Sequence, residues 1–172
     1  MMMKMLVAGG LEALTDNIRT SDEDNPEGYF EFERVKKLGD DHSWLQDARG
    51  KCVKIVSSFL KRLPSDLVYK IIFMDRNLDE VLASQKKMLV RRNEPVDSIS
   101  DAKMRETFER HLIDIELWLT AQPNIAVLNV NYNEVLANPS PTVQTINDFL
   151  NVALDVNRMI GAVNQDLYRN RR

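Results

Sequence analysis

The chain has 172 residues, of which 44% are hydrophobic and 28% are charged, and its formal net charge is -3. These values are typical of a globular protein, and we predict a single domain over residues 1–172. The slightly acidic balance argues against nucleic-acid binding and membrane-surface binding, and no apolar run approaches the roughly 20 residues of a membrane-spanning helix. Cys52 is the only cysteine, so an internal disulfide is excluded and a reduced core thiol in a cytoplasmic protein is expected.

The first part of the chain predicts short elements separated by polar loops. Met1 to Val7 has a helical pattern that Gly9 and Gly10 end. A weak strand, residues 11–14, precedes a polar loop that closes in a turn over residues 25–28. A short helical pattern then runs from Val35 to Leu38, and another is expected around Trp44.

The middle of the chain predicts a strand, a tight turn and a helix. The apolar run Val68 to Met74 is rich in β-branched and aromatic residues, so it predicts a buried strand of a parallel sheet. Asn77 is expected to cap the following helix, with Glu80 as its capping-box partner. The segment from Lys51 to Val56 predicts a further strand before this unit.

The second half of the chain continues the alternation of helices and strands. Ser100 is expected to cap a helix whose apolar positions repeat from Met104 to Leu119. A strand over residues 125–130 and a helix over residues 142–150 follow. We therefore expect an α/β fold with helices on both faces of a short parallel sheet, whose strands lie near Val53, Ile72 and Val127.

An anion site is expected at the end of the central strand. Ligands of open α/β sheets bind at the carboxyl ends of strands, where helix N-termini and basic side chains favour phosphate groups. Arg76 follows that strand and Ser84 lies two turns into the next helix, so both could donate to a phosphate. The alternative is that Arg76 pairs with Asp75, Asp79 or Glu80, and that Ser84 is a small residue in helix packing.

The pattern from Arg76 to Ser84, Arg-Asn-x-x-Glu-Val-x-x-Ser, resembles the 3'-phosphate-binding motif of sulfotransferases. The resemblance implies that Arg76 and Ser84 hold the 3'-phosphate of 3'-phosphoadenosine 5'-phosphosulfate (PAPS). It also implies that Tyr132 binds the adenine side of the nucleotide, because Tyr132 to Leu136 is similar to a Tyr-x-(Glu/Asp)-x-Leu segment of the family. Near the end of the chain, Arg169 and Arg171 either approach the nucleotide phosphates or belong to a solvated basic tail.

Two further segments resemble catalytic parts of the family. NPEGYFEFERV is similar to a segment in which a Glu after an aromatic residue acts as the base, so Glu31 is the first candidate and Glu33 the second. KCVKIV is similar to a Lys-x-His strand, which makes Lys54 a stabiliser of the transferred group. Val56 stands where the cytosolic branch has its catalytic His. As alternatives, the two carboxylates are solvated charges and Lys54 is a lysine at a strand edge.

The resemblance implies a three-layer, P-loop NTPase-like sulfotransferase fold. The implied reaction moves a sulfuryl group from PAPS to a hydroxyl or amine of a small-molecule, carbohydrate or peptide acceptor, leaves 3',5'-adenosine bisphosphate, and needs no metal. MMMKMLVAGG resembles the helix that follows the family's phosphosulfate loop, Pro-(Arg/Lys)-Ser-Gly-Thr, so the first strand and that loop are expected to be missing. We therefore expect weak or no transfer, and self-association through an exposed sheet edge.

Two other functions remain open. A binding or remnant domain could keep the 3'-phosphate half of the site without transferring anything. A small-molecule kinase is disfavoured, because neither a GxxxxGK(S/T) motif nor an acidic magnesium pair is visible. The two histidines also lack ligand spacing: His42 is expected at the surface, and His111 beside an apolar helix stripe.

Overall fold

The structure is a computed structural model that describes residues 1–19, 28–91 and 100–164. Its α-helices are α1 (Met2–Ala8), α2 (Leu78–Arg91), α3 (Asp101–Thr120), α4 (Tyr132–Ala137), α5 (Pro139–Leu150) and α6 (Val156–Gly161). Its strands are β1 (Tyr69–Asp75) and β2 (Ile125–Asn131), and short 3-10 helices cover Glu33–Lys37, Ser43–Leu45 and Ser57–Arg62. Within these ranges, no helix has the length and apolar character needed to cross a membrane.

The two strands form a parallel pair, as their β-branched and apolar runs predict. Tyr69 pairs with Ile125 at one end and Asp75 with Asn131 at the other, so both strands end at the same level. α2 and α3 lie between them in the chain and supply the crossover that a parallel pair requires. The predicted α/β class is confirmed at this level.

The third predicted strand, near Val53, is wrong. In the described ranges, the sheet has two strands, and the segment 51–56 contributes a single parallel bridge between Cys52 and Ala13. Apolar alternation shows that a segment is half-buried, but a strand also needs a neighbour at hydrogen-bonding distance. Here residues 51–55 and β1 line the same cleft without forming a ladder of hydrogen bonds.

Helices cover both faces of the parallel pair because its side chains alternate between two cores. On one face, the sheet residues Ile72, Met74, Leu128 and Val130 pack with buried residues of α1, α4, α5 and α6. On the other face, Ile71, Phe73, Ile125 and Val127 pack with α3 and the 3-10 helix Ser57–Arg62. A third cluster surrounds the fully buried Trp44.

The predicted helix ends are largely confirmed. α1 stops before Gly9, and the Ser100 hydroxyl caps α3 by accepting from the Lys103 N–H at 3.3 Å. The Asn77 carboxamide accepts from the Asp79 N–H at 2.8 Å at the start of α2. These caps satisfy N–H groups that have no partner inside the helix, which is why polar residues at these positions mark helix starts.

Gly9 is required for close packing between α1 and α6. A Cβ atom there would lie 2.7 Å from Met159 Cγ and 3.3 Å from Leu154 Cβ, and Met159 is fully buried. We expect Gly9→Ala to lower the free energy of unfolding by about 1–3 kcal/mol, measured by urea denaturation. Gly161→Ala is the control, because nothing lies within 4 Å of a Cβ at that position. Equal stability of the two variants would contradict this packing.

Candidate functional site

A cleft of about 1240 Å³ runs beside β1. All seven residues of β1, from Tyr69 to Asp75, line one side of it. Residues 51–55 and the first residues of α1 also line it. The cleft extends past the carboxyl end of β1 to Arg76 and Tyr132, so it reaches the edge at which ligands of α/β sheets bind.

The predicted nucleotide residues Arg76 and Tyr132 lie side by side. Each directly follows a strand, and the last residues of those strands, Asp75 and Asn131, are paired in the sheet. The Arg76 Cζ atom lies 4.7 Å from the centroid of the Tyr132 ring, a cation–π contact. The sheet register therefore brings together a guanidinium and an aromatic face, which suit a phosphate and an adenine ring.

A buried carboxylate holds Arg76 in place. Arg76 Nε donates to Glu80 Oε2 at 3.1 Å, and Asn133 Nδ2 donates to Glu80 Oε1 at 2.9 Å. Glu80 is only 6% exposed. This confirms the ion pair between Arg76 and Glu80 that the sequence offered as an alternative. The pair uses one of the five guanidinium donors, so it can orient Arg76 for an anion as well as stabilise the fold.

Ser84 lies one helical turn after Glu80 on α2 and is half-buried. Residues four apart share a helix face, so Ser84 is on the side of α2 from which Glu80 reaches Arg76. Ser84 is not one of the described residues that line the cleft. The other predicted phosphate contacts, Arg169 and Arg171, lie outside the described residues.

The two predicted catalytic residues, Glu31 and Lys54, are in contact. Lys54 Nζ lies 3.4 Å from Glu31 Oε1, and Arg19 Nη1 lies 3.3 Å from the same oxygen. Lys54 Nζ also donates to the backbone oxygen of Tyr29 at 3.1 Å, and Arg19 stacks on the Tyr29 ring. Lys54 lines the cleft, whereas Glu31 is not among the described residues that do. The Glu31 carboxylate therefore pairs with two cations, of which Lys54 lines the cleft.

Asp16 fixes the segment that carries Glu31. Its Oδ2 atom accepts from the Glu33 N–H at 2.6 Å, and this bond with a second from the Ile18 N–H lowers the pKa of the Asp16 carboxyl. The Thr15 hydroxyl donates to the Glu31 backbone oxygen at 2.9 Å. Immediately before Glu31, Phe30 adopts a positive φ of 51°, which is uncommon for a bulky residue. The local backbone is thus tightly specified around the predicted base.

Several residues of the site were not predicted. Arg19 and Asn133 complete the two carboxylate clusters, and Ser57 bonds to His111 inside the cleft. Their partners are between 12 and 54 positions away in the chain. Only the order of strands and helices could have signalled the Asn133 contact, because Asn133 follows β2 as Arg76 follows β1.

Cys52 lines the same cleft, and burial raises the pKa of its thiol to about 11. The thiolate is the reactive form, so its population near pH 8 is expected to be about 100-fold lower than that of an ordinary thiol. We expect Cys52 to react with a disulfide reagent far more slowly in the folded chain than in the urea-unfolded chain. Similar rates in both states would show that the thiol is not protected.

Comparisons with known protein families, with curated proteins and with solved structures gave no match.

Proposed function

We propose that this chain is a sulfotransferase-like protein that binds PAPS and directs its sulfuryl group towards a hydroxyl or amine acceptor. The observation that supports the proposal most is that a single cleft is lined by Lys54, Arg76 and Tyr132. These residues come from three separate segments, and each was selected from the sequence for a role towards this nucleotide. The motif spacing between Arg76 and Ser84 adds to this support.

In the proposed site, Arg76 binds the 3'-phosphate through guanidinium donors that its bond to Glu80 leaves available. Ser84 adds a hydroxyl donor, and the Tyr132 ring packs against the adenine side. The 3'-phosphate distinguishes PAPS from AMP and ATP, so Arg76 determines nucleotide selectivity. Binding energy from this remote phosphate helps to position the reacting sulfur.

In the proposed reaction, the acceptor oxygen or nitrogen attacks the sulfur atom of PAPS. The bond from sulfur to the bridging oxygen breaks, and its electron pair remains on the 5'-phosphate of 3',5'-adenosine bisphosphate. The Lys54 ammonium lies at the cleft wall, where it can stabilise the negative charge that develops on this oxygen. Glu31, 3.4 Å from Lys54, orients the ammonium and is the base proposed from sequence.

One observation favours nucleotide binding without transfer as a second candidate. Glu31 Oε1 already contacts both Arg19 and Lys54. An oxygen that already accepts from two cations has less capacity left to accept from a substrate hydroxyl. In this second candidate, the cleft binds the nucleotide and the ion-pair cluster stabilises its wall.

The test is a transfer assay with PAPS labelled with ³⁵S, which detects slow turnover, and with alcohol, phenol and amine acceptors. In keeping with the weak transfer expected from the sequence, we expect a labelled product that forms slowly, with an equal amount of 3',5'-adenosine bisphosphate. Nucleotide binding with no labelled product for any acceptor would favour the non-catalytic candidate. Magnesium-dependent ATP turnover in place of PAPS turnover would contradict both candidates and indicate a kinase.

A further inference from the structure

We propose that Ser57 and His111 bind the acceptor and that His111 takes its proton, with an apolar alcohol or phenol as the acceptor class. This inference rests on the proposed sulfuryl transfer. It assigns the base to a residue outside the segments that resemble sulfotransferases, and it selects hydroxyls over amines.

The two side chains face each other in the cleft. Ser57 Oγ lies 2.9 Å from His111 Nε2, and both residues are half-buried and line the cleft. Ser57 begins the 3-10 helix Ser57–Arg62, three residues after Lys54 in the chain, and Lys54 lines the same cleft. A base must lie within hydrogen-bond reach of the proton that it takes, and a cleft position gives His111 that access.

The position of the pair is fixed by the packing of two helices. α3 carries His111 and packs against the 3-10 helix through the buried residues Leu60 and Ile115. Lys61 Nζ and Asp114 Oδ2, 2.6 Å apart, connect the same two helices at the surface. These two contacts fix the relative position of the helices that carry Ser57 and His111, so the hydrogen bond joins two ordered elements.

The chemistry of the pair suits a hydroxyl. With a small rotation of its side chain, Ser57 donates to the acceptor oxygen while the acceptor O–H donates to His111 Nε2. As the oxygen bonds to sulfur, its proton moves to Nε2, and the bridging oxygen leaves with the electron pair. An ammonium acceptor has no lone pair for this attack.

The surrounding surface suits an apolar acceptor. Phe108 and Leu112 flank His111 on α3 and line the cleft, together with Phe73 of β1 and Val81 of α2. Aromatic and aliphatic walls with a few polar groups are typical of sites for apolar small molecules. A carbohydrate would leave many hydroxyls unpaired against these side chains.

Binding is tested by NMR of the ¹⁵N-labelled imidazoles during titration with 2-naphthol. The chain has two histidines, and His42 is exposed and outside the described cleft lining, so it is an internal control. We expect saturable shifts at His111 and none at His42, and weaker effects from 2-naphthylmethylamine. Ser57→Ala should reduce naphthol affinity by about 3- to 10-fold, while Ser58→Ala, an exposed neighbour, should not. Unmoved His111 signals, or stronger binding of the amine, would overturn the acceptor assignment.

The base role is tested by transfer from labelled PAPS to 2-naphthol. We expect His111→Ala to lower turnover by about 100-fold or more, with partial recovery in added imidazole, and His42→Ala to have no effect. Unchanged turnover of His111→Ala would overturn the base role alone. If the wild type binds naphthol at His111 but turns over no PAPS, both the proposed function and the base role of His111 are contradicted. The assignment of a hydroxyl-binding pocket to Ser57 and His111 is then still supported.

Discussion

Arg76→Ala is expected to lower the free energy of unfolding by about 3 kcal/mol, because it leaves a buried carboxylate without its cation. The Glu80 side chain is 7% exposed, whereas that of Arg76 is 29% exposed. The fold therefore depends more on neutralising Glu80 than on burying Arg76. Urea denaturation gives the free energy, provided that the slope of the transition is unchanged.

A double variant separates charge from packing. Arg76→Ala combined with Glu80→Gln removes both charges and keeps an amide next to Asn133, so much of the lost stability should return. Arg105→Ala is the control, since Arg105 pairs with Asp79 at an exposed site and should cost less than about 1 kcal/mol. If the single and double variants are equally destabilised, the buried charge is not the cause.

Lys54→Ala is expected to lower the rate of sulfuryl transfer by about 100- to 1000-fold, because it removes the cation proposed to stabilise the leaving oxygen. The affinity for 3',5'-adenosine bisphosphate should change little, since Arg76 and Tyr132 provide the nucleotide contacts. The two quantities are measured by the labelled-PAPS assay and by calorimetry.

Lys103→Ala is the matched control for that variant. Lys103 pairs with Glu106 at an exposed site and is not among the described residues that line the cleft, so its removal should leave transfer unchanged. A Lys54→Ala protein with wild-type turnover would show that Lys54 is only a structural partner of Glu31.

Much of the fold follows from local patterns in the sequence. β1 and β2 are β-branched apolar runs, and α3 has a helical repeat with a serine cap, so each is specified by nearby residues. The segment at Val53 has the same apolar character but no paired neighbour on the β1 side, and pairing depends on residues far away in the chain. α6, which Asp155 caps, was not predicted because its pattern is only one to two turns long.

The candidate site was predicted in part. Arg76 could be found because it follows a strand, whereas Tyr132 was implied by the family resemblance. The two lie together because the carboxyl ends of paired parallel strands lie together. The contact between Glu31 and Lys54 was not predicted, although both were candidates, because it depends on loop conformations such as the positive φ of Phe30. The hydrogen bond between Ser57 and His111 joins helices that the sequence does not place side by side.

The most direct test of the proposed nucleotide site is calorimetric titration with 3',5'-adenosine bisphosphate, with 5'-AMP as the control ligand. It uses the wild type and the double variant Arg76→Ala/Glu80→Gln, which we expect to fold. The account predicts that the wild type prefers the bisphosphate and that the double variant loses about 1.5–3 kcal/mol of that binding, with AMP binding unchanged. Equal affinity of the folded wild type for both nucleotides, or none for the bisphosphate, would contradict a 3'-phosphate site at Arg76.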